Sequence, residues 1–421
     1  MFKIPRGTRD FTPEEMQKRR YVRECMQSTF EYFGYGAIQT PIFETLELFT
    51  AKSGDSIIDE LYAFSDKGGR ELALRPELTA PVMRFYVEKL QMQPKPLKLY
   101  YFGNCFRYDR PQKGRYREFM QAGCEIIGAN TPEAHAELVT MAYSLLRNVG
   151  LKNIKLNIGN LNVINSLFTK MGISKESQKQ MLPLIDKSMF DDLASFLNEI
   201  GIPDNDSKKC IGILQTPEIK KIKEYFKDDS EVLDELVNMK NVLDLLRKSF
   251  KVDFEIKLSI ARGLDYYKGL VFEIEAPVLG AEKQLCGGGA YDLVSLFGGT
   301  NVPTAGFAIG FDRTILALEA EEYKFPSAGL DAYVIPISED MIAESIKIAQ
   351  NLRKEGILTD IDLLRRGVGK SLKYASSKNA KKVIILGPKE LEKDSVTLRD
   401  MGTGNQELVK MKDIYSKIKN N

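Results

Sequence analysis

The reading of the fold turns on one stretch: Phe106-Arg107-Tyr108-Asp109-Arg110-Pro111-Gln112-Lys113-Gly114-Arg115-Tyr116-Arg117-Glu118-Phe119. Segments 98–108 and 118–128, which flank and overlap it, read as β-strands, and Pro111 and Gly114 make the middle a loop. The stretch carries five basic residues. A guanidinium is a planar fork that grips phosphate oxygens in pairs, so the arrangement suits a polyphosphate clamp. Phe106 and Phe119, on the flanking strands, offer either core contacts or a stacking face. Taken alone, the same stretch also fits an ordinary basic hairpin tip.

Other segments add to it. Arg75-Pro76-Glu77-Leu78-Thr79 ends a strand and brings a carboxylate and a hydroxyl. Gln121 and Glu125 are separated by an even number of positions on the second strand, so both point to one face. Arg262-Gly263-Leu264-Asp265-Tyr266-Tyr267 sets an Arg and two phenols beside a Gly turn, and Gly287-Gly288-Gly289-Ala290-Tyr291-Asp292 is a second Gly-rich turn with a Tyr. Gly306-Phe307-Ala308-Ile309-Gly310-Phe311-Asp312-Arg313 delivers an Arg at a strand-to-helix junction. Together they read as a sheet presenting carboxylates, phenols and arginines to an anionic ligand. Gly367-Val368-Gly369-Lys370-Ser371 only imitates the end of a P-loop. The required first Gly falls on Leu364, so the segment is read as a strand-to-helix turn.

Composition narrows the chemistry. The 421 residues hold 60 Lys+Arg, 58 Asp+Glu, no Trp and one His, His135. A lone His excludes a two- or three-histidine metal site, and it leaves at most one Ser–His or Cys–His pair. The reading favoured for His135 is a solvated or capping side chain on a helix. Five Cys without a Cys-x-x-Cys argue against a disulfide framework and a thiolate zinc site, and a reducing cytoplasm is expected. No signal-peptide core and no apolar run of membrane-spanning length is seen, so no membrane partner is expected.

Along the chain, Thr12-Pro13-Glu14-Glu15 opens a helix with Val22, Met26, Phe30 and Phe33 at helical spacing. Residues 37–43 read as a strand with Pro41 near an edge or terminus. Thr131-Pro132 opens another helix. From about 160 to 250 a Lys-, Glu- and Leu-rich segment reads as a helical insertion, with Asp204, Asp206, Lys208 and Lys209 in a polar loop. Strands resume at 254–259 and 270–274. A boundary is expected near 326–329. Beyond it, strands at 332–337, 357–363 and 383–386 alternate with helices at 341–354 and 370–378, and a hairpin follows at 396–409. That alternation predicts a small α/β domain. Residues 330–421 carry 17 Lys+Arg against 13 Asp+Glu, a mild basic surplus compatible with an RNA-facing surface or a solvated lysine-rich one.

These residues resemble the class II aminoacyl-tRNA synthetases, and within them the histidyl-tRNA synthetase family, over nearly the whole chain. Arg6–Asp10 with the 12–15 helix start resembles the family's N-terminus. Residues 34–44 resemble motif 1, 106–119 motif 2 and 306–313 motif 3. The 262–267 and 287–292 segments resemble the histidine-specific ones. The resemblance implies an α+β catalytic domain over 1–325, an antiparallel class II sheet with helices and the 160–250 insertion within it. It also implies a C-terminal α/β anticodon-binding domain over 330–421, a homodimer formed through motif 1, and tRNA(His), histidine and ATP as partners.

Site roles follow from the same resemblance. Arg107 and Arg262 would be the catalytic arginines at the α-phosphate, and Arg107 would also hold the substrate carboxylate. Arg115 and Arg313 would hold the terminal phosphates, with Phe119 on adenine. Glu77, Thr79 and Gln121 would bind the α-amino group beside Leu78. Glu125 and Tyr267 would grip the imidazole, with Tyr266 and Tyr291 lining its pocket. Mg²⁺ is expected with ATP, and no structural zinc. Three positions depart from the family pattern: Asp109 and Asp312 stand where Glu is usual, and Ala290 where Arg is usual. Two rival families fit the residues less well. A catalytically silent regulatory paralogue would lose the arginines and usually the C-terminal domain. The prolyl or threonyl enzymes would lack the 262–267 and 287–292 segments.

Overall fold

Thr12 opens the first helix, Pro13–Tyr32, with a full capping box: its side chain accepts from Glu15 N while the Glu15 carboxylate takes the Thr12 amide. The computed structural model describes residues 2–53, 55–110, 114–186, 188–215, 218–260, 267–326 and 329–419. The chain divides into two compact units, Met1–Lys324 and Phe325–Asn421.

The first unit is built on an eight-stranded sheet. Its order is Gly36–Ala37, Leu97–Phe106, Glu118–Ile127, Thr304–Gly310, Gln284–Tyr291, Tyr267–Glu275, Lys155–Asn160 and Glu255–Ile256. The six central strands run antiparallel, and the two short outer strands pair in parallel. Helices Pro13–Tyr32 and Pro132–Asn148 cover one face. There Phe30 stacks on Tyr100 at 4.9 Å and lies 6.1 and 6.2 Å from Phe102 and Phe307. Those three rings belong to the set of alternate residues facing these helices, which leaves the opposite face free for a site. Helices between Leu161 and Leu245 enclose a core of their own, including Phe168, Met181, Leu193, Leu197, Cys210 and Phe226. That core runs onto the sheet at Leu258 and Val271.

Two local expectations are corrected. Residues 37–43 are not one strand: Gly36–Ala37 and Phe43–Thr45 belong to different sheets. Pro41 has no N–H to give a ladder, and the Thr40 and Pro41 carbonyls instead accept from the buried Arg75 guanidinium at 2.9 and 3.0 Å. Asp204–Lys209 is not a loop but the start of helix Asp204–Gln215. Its acidic residues lie at the positive helix end, and Ser207, Cys210, Ile213 and Leu214 form the buried stripe that the charged composition hides.

The second unit is a five-stranded sheet ordered Thr359–Ile361, Ala332–Pro336, Lys382–Leu386, Ser395–Asp400, Gln406–Lys410, parallel across the first three strands and antiparallel thereafter. Helices Ile342–Lys354 and Val368–Ser377 flank it. The P-loop look-alike is the start of the second helix: Ser371 is fully buried and donates to Arg366 O, so its hydroxyl is shut off from a ligand. No helix among the described residues is long and apolar enough to cross a membrane.

Arg75 is 4% exposed and also donates to Asn104 O at 2.8 Å, so it ties two other chain segments to its own through three carbonyls. Arg75→Leu should cost about 3 kcal/mol in urea unfolding, because one buried and two partly buried carbonyls lose their donor. A loss below about 1 kcal/mol would show those carbonyls finding other partners.

Candidate active site

Strand register builds the site on the face opposite helix Pro13–Tyr32. Gln121 pairs with Gly310 and Gly103, Gly123 with Ala308 and Tyr101, Glu125 with Gly306 and Leu99. Phe119, Gln121 and Glu125 therefore form one row of side chains. The facing strand Thr304–Gly310 is reduced to Gly opposite Gln121 and Glu125. A Cβ at Gly306 would coincide with the Glu125 carboxylate, and one at Gly123 would lie 2.7 Å from the Tyr101 hydroxyl.

At the inner end of the row, Glu125 is 1% exposed. Tyr101 donates to its Oε1 at 3.0 Å, and Tyr291 donates to its Oε2. Burial pushes the Glu125 carboxyl up to about 8, while Tyr291, Tyr101 and Thr79 pull it back by hydrogen bonding and the Glu77 charge opposes them. Burial also drives both phenols far above their ordinary range, so they remain donors. Tyr267 lies edge-on to Tyr291 at 6.2 Å. Glu77 accepts from the Thr79 and Ala80 amides at 2.7 and 3.1 Å, which fixes its carboxylate at the start of helix Thr79–Phe85. Leu78 is 2% exposed and packs with Tyr101 and Tyr291. Cys105 donates to Gln121 Oε1 at 3.4 Å, orienting that amide.

At the outer end lies a cleft of about 440 Å³ that brings together Arg107, Arg115, Phe119, Gln121 and Arg313. Arg107 donates to Pro76 O and lies 5.4 Å over the Phe119 ring. Arg313 donates to Gly114 O, Gln284 O and the Glu282 carboxylate at 2.9, 3.1 and 2.9 Å. Arg115 lies 3.5 Å from the same carboxylate. Two guanidiniums thus converge on one anion position. Four residues separate Gln121 from Glu125, so the cleft and the buried carboxyl lie roughly 13 Å apart along one strand. That span suits one extended substrate pair rather than two independent sites.

The structure clarifies the departures. Asp312 does not face the cleft as a free ligand: Arg9, Arg19 and the Met120 amide converge on it at 2.8, 2.5 and 2.7 Å. Ala290 pairs with Ala305 and, by alternation, faces away from Gly289 and Tyr291. Asp109 lines the cleft and holds Arg117 through its carbonyl at 3.2 Å. Arg262 and Tyr266 lie outside the described residues. His135 is buried rather than solvated. Its Nε2 bonds Asn130 at 2.7 Å and burial lowers its pKa, which keeps the ring neutral. Sequence reading missed Tyr101 and Glu282. The clue to Tyr101 was Gly123, whose missing side chain makes room for the ring across the ladder.

An antiparallel sheet with an arginine-lined cleft beside a buried polar pocket is the arrangement of class II aminoacyl-tRNA synthetases. The histidyl-tRNA synthetase family model matches residues 7–314, and that of an anticodon-binding domain matches residues 331–421. A histidine–tRNA ligase of Methanosarcina acetivorans is 45% identical over 414 residues, 98% of each chain. The apo histidyl-tRNA synthetase of S. aureus superposes with a TM-score of 0.77 at 31% identity over 100% of both chains. The enzyme of Nostoc sp. PCC 7120 superposes with a TM-score of 0.85 at 24% identity, covering 100% of this chain and 99% of the other. The chain belongs to the histidyl-tRNA synthetase family.

Two outcomes test the pocket. Gly306→Ala should lose about 2–3 kcal/mol in urea unfolding, because the added methyl overpacks against the buried carboxyl. An unchanged midpoint would contradict the close approach. Glu125 holds its proton to about pH 8 in the folded chain against an ordinary value of 4.5. The folded state therefore binds the extra proton between those limits, and stability falls as pH rises from about 4.5 to about 8. Glu125→Gln should flatten that decline in urea titrations at pH 5 and pH 8. A decline as steep as the parent's would assign it to other groups.

Proposed function

We propose that this chain is a histidine–tRNA ligase. It activates L-histidine with ATP to histidyl-adenylate and pyrophosphate, then transfers the histidyl group to the 3′-terminal adenosine of tRNA(His). The observation that carries the reading is Glu125: an enclosed carboxyl held by two phenols, at the end of a row leading to an arginine-lined cleft. A ring with two opposed nitrogens satisfies such a pocket. A side chain without them would strand buried polar groups, which is how a site of this kind rejects analogues.

Glu77, Thr79 and Gln121 hold the α-ammonium group, with Leu78 closing the pocket floor. Glu125 and Tyr267 grip the imidazole nitrogens, with Tyr266 and Tyr291 assigned to the pocket lining. Phe119 stacks on adenine, Arg107 binds the α-phosphate and the histidine carboxylate, and Arg115 and Arg313 bind the terminal phosphates. A carboxylate oxygen of histidine attacks the α-phosphorus, and the bond to the bridging oxygen of pyrophosphate breaks. Arg107 and Arg262 stabilise the charge that develops there, a preorganised electrostatic effect. In the second step a ribose hydroxyl of the terminal adenosine attacks the acyl carbon, and AMP leaves. ATP enters with Mg²⁺. The catalytic domain spans 1–325, with the 160–250 insertion inside it, and 330–421 is the anticodon-binding domain. The enzyme works as a homodimer in the cytoplasm.

Pyrophosphate exchange with each amino acid tests the reading. Histidine alone should support exchange; none at all would sink the ligase, and proline-dependent exchange would sink the specificity. Arg262→Ala should cut adenylate formation by about a thousandfold while histidine still binds. A near-normal rate would remove Arg262 from its role. Histidine binding should also follow a bell-shaped pH curve. Glu125 and the bound imidazole share one proton, which they jointly hold between the imidazole value of about 6.5 and the Glu125 value of about 8. Below the first, a proton must leave on binding; above the second, one must be gained. Calorimetric affinity that rises steadily from pH 6 to pH 9 would contradict the shared proton.

A further inference from the structure

The N-terminal segment lies against the base of the cleft, and nothing in the chemistry above accounts for it. The Gly7 carbonyl accepts from Arg117 N at 2.9 Å, beside the Arg107 amide's bond to Arg117 O at 3.0 Å. Gly7 has φ +87°, and a Cβ there would lie 2.7 Å from Arg117 Cγ, so this crossing is open only to glycine. Two residues on, the Arg9 guanidinium lies 3.4 Å from the centroid of the Tyr116 ring and 5.0 Å from that of Phe11. Arg9 also pairs with Asp312 at 2.8 Å, and Asp312 is only 4% exposed.

The two partners of Arg9 belong to opposite walls of the cleft. Tyr116 lies between Arg115 and Arg117 on the loop wall and lines the cleft itself. Asp312 immediately precedes Arg313, whose guanidinium spans to Gly114 O and Glu282 on the other side. Arg19 anchors Asp312 independently at 2.5 Å and stacks over Phe11 at 4.1 Å. Asp312 therefore does not need Arg9 to be neutralised. What Arg9 adds is a rigid link: one planar cation that fixes the Tyr116 ring through its face and the start of helix Phe311–Ala320 through its edge.

We propose that Arg9 is a positioning residue for ATP, clamping the Tyr116 side of the nucleotide cleft to the Arg313 side. It sets the spacing of the guanidiniums that receive the terminal phosphates. The proposal rests on the assignment of this cleft to ATP. Arg9 itself is turned into the Tyr116–Asp312 contact and acts through those residues. Holding the two walls in advance lowers the ordering cost of binding a flexible triphosphate.

The test is steady-state pyrophosphate exchange with full-length protein, varying ATP and histidine separately. Exchange by the parent chain with histidine establishes the assignment first; its absence would fail that reading, not this one. Arg9→Ala should raise KM for ATP about tenfold, with KM for histidine within about twofold. Arg9→Lys keeps a cation for Asp312 but no planar face for Tyr116, so it should recover only part of the ATP effect. Tyr116→Leu should show the same ATP-selective defect, and the Arg9→Ala/Tyr116→Leu pair should be clearly less than additive, because both remove one contact. If Arg9→Ala folds poorly, the Lys variant and the Tyr116→Leu variant carry the test. The proposal is overturned if KM for ATP is unchanged, if both KM values rise together with a lowered Tm, or if Arg9 and Tyr116 effects simply add.

Discussion

A carboxyl group inside an antiparallel sheet imposes demands on every neighbouring strand. Glu125 is enclosed without a cation at its oxygens among the described contacts, and burial, only partly offset by the hydrogen bonds it accepts, lifts its pKa to about 8. Such a group is tolerated only if donors reach both oxygens and if the opposing backbone gives way. Tyr101 and Tyr291 supply the donors from two other strands. Gly306 gives way by carrying no side chain where the carboxylate lies. The order of strands, the register between them and the glycine pattern are therefore one requirement seen at three levels. A slip of a single residue would turn Glu125 toward Phe30 and the apolar helix face.

Arginine is used for two opposed purposes here, and burial separates them. Arg75 and Arg19 spend their donors on the fold: three carbonyls from two segments in one case, the Asp312 carboxylate in the other. Arg115 and Arg313 line the cleft, with Glu282 as the anion on which they converge. Asp312 belongs to the first group although it stands beside a residue of the second. Its shorter side chain, compared with the Glu usual at this position, leaves it within reach of Arg9, Arg19 and the Met120 amide at once.

How much of this was legible depended on whether the signal was local. The 106–119 stretch, the Gln121–Glu125 spacing and the Gly-rich turns are contiguous, and their geometry follows from strand alternation, so the row of site side chains was readable. The helix starts at Thr12 and Thr131 were readable for the same reason, since a cap is a four-residue pattern. Tyr101 was not, because its partner lies 24 residues away and only register joins them. Arg75 reads like any surface arginine until the carbonyls of Thr40, Pro41 and Asn104 are placed around it. Asp204–Lys209 misled because its charges are helix-end charges and its apolar stripe begins only at Ser207.

The single histidine sharpens the chemical argument. His135 is buried and neutral, bonded to Asn130 at the start of helix Pro132–Asn148, on the far side of the sheet from Glu125. A pocket that recognises imidazole gains nothing from an imidazole of its own, since a second ring of similar pKa would compete for the same proton. Carboxyl and phenol differ from imidazole in pKa by burial and by chemistry, so the phenols stay donors while the carboxyl is the one group free to exchange a proton. The other end of the row is lined by guanidiniums, so one end is a titratable carboxyl and the other a set of planar forks suited to paired oxygens.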